Sequence, residues 1–69
     1  MVFVEFPQRD HFGFVTRRFI KLDDIESIGL HPDGTEIILD SGYVFVTTKP
    51  IASVIKLVEC AFAKRDSLI

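Results

Sequence analysis

The chain has 69 residues, 48% of them hydrophobic, which allows one small core and disfavours most enzymes, because a pocket of roughly 300–1,000 Å³ needs more scaffold than this. Eight Lys and Arg against ten Asp and Glu give a net charge of −2, so no global positive field exists to coat a polyanion without sequence preference. A mean hydropathy of +0.31 is high for so small a domain and implies apolar surface in need of a partner.

In chain order, Val2-Phe3-Val4-Glu5-Phe6 is β-branched and aromatic and predicts a first strand that stops at Pro7. Val2, Val4 and Phe6 share one face, Phe3 and Glu5 the other. Residues 7–13 read as a loop punctuated by Pro7 and Gly13, followed by a second strand from Phe14 to Ile20. Leu22, Ile25 and Ile28 recur every third residue, which predicts one tight helical turn capped by Asp23 or Asp24. Strands over Glu26–Leu30, Thr35–Leu39 and Tyr43–Thr47 follow, separated by the turns His31-Pro32-Asp33-Gly34 and Asp40-Ser41-Gly42. Lys49-Pro50 starts a helix running to about Lys64, with Thr48 as its cap. Ile51, Val54, Ile55, Val58, Ala61 and Phe62 form its apolar stripe. Leu57 lies off that stripe and groups with Leu68 and Ile69 as a second apolar patch. The fold expected is a single α+β domain over residues 1–69, an antiparallel meander of four to five strands with one C-terminal amphipathic helix packed on it.

Cys60 is the only cysteine. It excludes an internal disulfide framework and fits a reducing cytoplasm. No apolar run reaches the length of about 18–20 residues needed to span a membrane, and Glu5 interrupts the N-terminal apolar stretch. A soluble protein beginning at its own Met1, with no membrane association, is therefore expected.

Candidate chemistry is sparse. His11, His31 and Cys60 share no spacing that brings them onto one metal ion, so no metal and no cofactor are expected. Cys60 beside the helix stripe reads as a buried, inert thiol. Asp23 and Asp24 are adjacent, so their side chains diverge and cannot share a proton as a catalytic pair must. The glycine turns lack the spacing of a phosphate loop. No nucleophile, base or metal constellation follows, and a non-enzymatic protein is expected.

Aromatic and cationic residues interleave only over residues 11–19. Phe rings on an open sheet can stack bases while Arg neutralises phosphate, so Arg17, Arg18 and their neighbours suit single-stranded nucleic acid or a nucleotide. The competing reading pairs Arg17 and Arg18 with carboxylates such as Glu36 or Asp40 and leaves the aromatics as a half-buried strand. The latter is favoured.

From Phe19 to about Ala61, the pattern Ile20-x-Leu22-Asp23-Asp24-Ile25-Glu26-Ser27-Ile28, then Pro32-Asp33-Gly34-Thr35-x-Ile37-x-Leu39-x-x-Gly42, then a Val54-Ile55 helix, resembles the small flagellar FlbD-type proteins. The resemblance covers about two-thirds of the chain, rests on fold-building residues and implies the order strand, turn, hairpin, helix. Where the family carries acidic residues at the helix start, this chain has Lys49-Pro50-Ile51-Ala52. The strand and glycine-turn arrangement also resembles part of the LytTR-type DNA-binding domain.

One helix cannot cover both sheet faces, so Phe3, Phe12, Phe14, Val15 and Phe19, with Arg17 and Arg18, are the candidate interface or ligand residues. The function expected is a small regulatory or adaptor protein that binds an unidentified protein partner and forms a homo-oligomer, by default a dimer. The alternatives are nucleic-acid or nucleotide binding through Arg17 and Arg18, and a small ligand held between subunits.

Overall fold

The structure of the protein, a computed structural model, describes residues 2–67. β1 (Phe3–Arg9) and β2 (Val15–Lys21) form a two-stranded antiparallel ribbon, with Phe3 opposite Lys21 and Arg9 opposite Val15. One 3-10 turn, Leu22–Asp24, redirects the chain into β3 (Ile25–His31), β4 (Gly34–Leu39) and β5 (Val44–Thr47). These three pair antiparallel in the order β3-β4-β5, and α1 (Ile51–Ser67) follows. The α+β architecture with five antiparallel strands and one C-terminal helix is present. Its strands are divided between two sheets.

Pro7 explains the division. β1 does not stop there, as the missing N–H led us to expect, but runs on to Arg9. Leu22 N–H donates to the Val2 carbonyl at 2.9 Å and Asp10 N–H to the Phe14 carbonyl at 2.9 Å. Even-numbered residues of β1 therefore turn their backbone groups toward β2, and odd-numbered ones turn them away. The ribbon needs no N–H from Pro7. On the outer edge, the Pro7 carbonyl accepts from Thr47 Oγ1 at 2.7 Å and from Thr48 N–H at 3.4 Å. A ladder between β1 and β5 would need the N–H that proline lacks, so a side-chain hydroxyl makes the seam instead.

Val4, Phe6, Ile20, Leu22, Ile37, Phe45, Val54 and Val58 are the buried core. The Phe6 and Phe45 rings, centroids 6.2 Å apart and tilted by 53°, join ribbon to sheet. Thr35 is buried beside Thr47, its register partner, and donates through Oγ1 to the Lys49 carbonyl at 2.7 Å. Among the described residues no buried side-chain polar atom lacks a partner. Gly34 closes the β3–β4 hairpin at φ +148°, where an added Cβ would lie 2.1 Å from the Thr47 carbonyl oxygen. Only glycine fits against the seam.

Several local expectations are corrected. No side-chain hydrogen bond caps the 3-10 turn, because the Asp23 carboxylate is taken by the Arg65 guanidinium of α1. Pro50 precedes α1 and its carbonyl accepts the Val54 N–H at 3.1 Å, while the Thr48 N–H turns toward Pro7. The helix is also rolled relative to its predicted stripe. Val54 and Val58 are buried, but Leu57 and Ala61 pack against the core while Ile55 and Phe62 are 42% and 36% exposed. Two apolar columns flank the Val54–Val58 axis, and periodicity alone does not say which faces inward; Ala61 packs inward as its place on the stripe predicts, and Leu57 joins it against the core where Ile55 was expected.

The Cα radius of gyration is 12.1 Å, slightly above the roughly 11 Å expected for a compact chain of this length, with principal extents of 42 × 21 × 19 Å. Two strands of seven residues in a ribbon span more than the small core.

Candidate functional site

The ribbon ends in an ordered aromatic tip. Asp10 Oδ1 accepts from the N–H groups of Phe12 and Phe14 at 2.9 and 3.0 Å, and Gly13 N–H donates to the Asp10 carbonyl at 3.0 Å. Gly13 lies at φ +88°, the left-handed position of a three-residue hairpin loop. This turn directs both Phe side chains into solvent, 76% and 70% exposed, with the His11 ring 4.3 Å from that of Phe12. Along the ribbon, Val15 and Phe19 on β2 and Phe3 on β1 are 57%, 64% and 53% exposed.

Strand alternation sorts these residues. Phe3, Glu5, Arg17, Phe19 and Val15 share one face through the pairs Phe3–Lys21, Glu5–Phe19 and Arg9–Val15. Arg18 lies on the other, opposite Phe6, with its guanidinium 6.0 Å from the Phe45 ring centroid and 3.3 Å from the Tyr43 hydroxyl. Arg17 pairs with Glu5 at 3.1 Å. The partners expected, Glu36 and Asp40, are thus replaced by Glu5 for Arg17 and Tyr43 for Arg18. Adjacent residues of a strand point oppositely, so the two arginines do not form one cationic patch.

Two of the grooves that border the ribbon bear on the site. One, of about 710 Å³, lies between Arg9 and Asp10, the β3–β4 turn with His31 and Asp33, and the exposed Val44 with the half-buried Val46. The other, of about 540 Å³, separates Phe3, Glu5 and Arg17 from Leu57, Cys60 and Ala61 of α1, with Lys49 and Lys64 at its border. Cys60 is exposed, which corrects the expected burial: the roll of α1 that brings Leu57 inward carries Cys60 to the groove. Lys49, Leu57 and Cys60 were not among the candidate interface or ligand residues. Their juxtaposition with β1 depends on the turn between β5 and α1, which leaves no local signal in the sequence. Leu68 and Ile69, expected to extend a patch beside Leu57, lie outside the described residues.

Among the described residues no group of three or more His, Cys, Asp or Glu is placed to hold a metal ion, and no helix is long and apolar enough to cross a membrane. No protein-family model matches this chain. No curated protein and no solved structure matches it either.

Proposed function

We propose that the protein is a non-enzymatic regulatory or adaptor protein of the cytoplasm that acts by protein–protein binding, and that it self-associates as a dimer through the β1–β2 ribbon. The single observation that carries this reading is the tip: two Phe rings held in solvent by a turn that Asp10 and Gly13 order. Ordering an exposed aromatic pair in advance lowers the entropy lost on docking, which favours a binding element over an incidental apolar patch. A ribbon meeting its own copy about a two-fold axis buries the same residues on both sides, which suits the aromatic face of Phe3, Val15 and Phe19.

Nucleic-acid or nucleotide binding is the rival. The engagement of Arg17 with Glu5 and the placement of Arg18 on the opposite face count against it. Light scattering coupled to size-exclusion chromatography at micromolar protein tests the proposal, with a dimer mass expected and a monomer overturning it. Salt-sensitive oligonucleotide binding lost in an Arg17→Ala, Arg18→Ala variant would instead support the rival.

A further inference from the structure

β3 is the outer strand of the three-stranded sheet, on the side away from β5 and its seam with the ribbon. Leu39 N–H donates to the Tyr43 carbonyl at 3.0 Å, so odd-numbered residues of β4 bond toward β5 and even-numbered ones toward β3. The β3 partners of those even-numbered residues are Ser27, Gly29 and His31. Ile28 and Leu30 alternate with them and turn their N–H and C=O groups outward, where no strand among the described residues pairs with them. Sheet edges are ordinarily blunted by lysine, proline or a bulge. Here the shift in register falls between Ile25 and Ser27, and the stretch Ser27-Ile28-Gly29-Leu30 beyond it holds neither lysine nor proline. Leu30 is 79% exposed on the same strand face as Ile28, which packs against the core.

This edge is also acidic. Residues 22–48, which span the 3-10 turn and all three strands, contain six of the ten carboxylates and none of the eight Lys and Arg. Asp23 is taken by Arg65, but the carboxylates of Glu26 and Glu36 make no ion pair or hydrogen bond among the described residues. Glu36 reaches from β4 over Gly29, its Oε2 lying 3.9 Å from where a Cβ on that glycine would stand.

We infer that the β3 edge receives an extended, basic-apolar segment of a partner protein, which adds a fourth strand beside Ile28 and Leu30. Main-chain bonding to the edge supplies affinity without sequence demand. Apolar residues on one face of the segment cover Leu30, and lysine or arginine on the other meets Glu36 across the space that Gly29 leaves open. A second copy of this chain would instead set Glu26 and Glu36 against the same carboxylates with no cation between them, which is destabilising. The inference deepens the protein-binding reading, and it uses none of the exposed residues of the ribbon.

Hydrogen exchange at single amides of the full chain tests it, with two capped hexapeptides as probes, one alternating valine with lysine and the other valine with glutamate. At roughly ten times its Kd, the lysine peptide should slow exchange of the Ile28 and Leu30 amides about tenfold, while the Phe12 and Phe14 amides stay unchanged. The glutamate peptide should have no effect. Glu36→Gln should weaken the lysine peptide about threefold. Leu30→Pro removes an outward N–H that takes no part in bonding to β4 and should abolish protection at Ile28. A backbone N-methylated lysine peptide keeps the charge and loses the pairing edge, so it should be inert, and it serves the same purpose if the proline variant does not fold. No protection by the lysine peptide overturns the inference, as does equal protection by the glutamate or N-methylated peptide. Slowing at Ile28 and Leu30 that rises with protein concentration alone assigns the edge to a second copy and also overturns it. A Phe12→Ser, Phe14→Ser variant should retain full protection, which separates failure of the edge from failure of the tip.

Discussion

Thr47 donates its side-chain hydroxyl to the Pro7 carbonyl at 2.7 Å, and through that bond the three-stranded sheet is fastened to the ribbon. Proline at this position withholds the N–H that would extend a ladder, and the carbonyl on the same edge still requires a donor. Thr47 is fully buried and Pro7 half-buried, so the bond is partly sheltered from water. Replacing Thr47 by Val keeps the shape and removes the donor, leaving Pro7 only the 3.4 Å contact with Thr48 N–H. A loss of about 1–2 kcal/mol is expected, read as a lower urea midpoint with an unchanged slope.

The turn glycines separate strain from collision. Gly13 and Gly34 both lie at positive φ, but an added Cβ meets nothing within 4 Å at Gly13 and the Thr47 carbonyl oxygen at 2.1 Å at Gly34. Gly13→Ala should cost about 1 kcal/mol from backbone strain alone. Gly34→Ala should cost about 3 kcal/mol or more, because the seam must also move. Thermal melts of the two variants check the order, and equal shifts would contradict this account of the seam.

Asp10→Ala removes the acceptor for two tip amides while leaving the ribbon pairing in place. The residue is near the surface, so global stability should fall by only about 0.5–1 kcal/mol. Amide exchange at Phe12 and Phe14 should accelerate while that of core residues such as Ile37 and Phe45 changes little. Site-resolved hydrogen exchange measures both.

The ion pair between Asp23 and Arg65 ties the 3-10 turn to α1, but both side chains are substantially exposed. Solvent screening holds the cost of Asp23→Ala to below about 1 kcal/mol. A larger loss in chemical denaturation would mean that the pair also aligns the helix end.

Much of this arrangement was legible in the residues themselves. Pro32-Asp33-Gly34 and Asp40-Ser41-Gly42 mark the two hairpins of the three-stranded sheet, and the apolar runs between them correspond to β3, β4 and β5. The exposed aromatics could be anticipated because one helix stripe cannot cover both faces of a sheet. The seam at Pro7 could not, since it depends on which edge of β1 carries the missing N–H, and that is settled by register across residues far apart in the chain. The roll of α1 escaped for a related reason: Ile55 and Leu57 flank the same axis, and only packing against a core assembled from distant parts of the chain chooses between them. Exposure of Cys60 follows from that choice.

The ribbon tip as the element of self-association is tested most directly by sedimentation equilibrium of the natural chain beside a Phe12→Ser, Phe14→Ser variant. Both side chains already stand in solvent, so the variant should melt within a few degrees of the natural chain. The account predicts a dimer for the natural chain and a monomer for the variant at the same micromolar concentration. A variant that remains dimeric, or a natural chain that is monomeric, would contradict it.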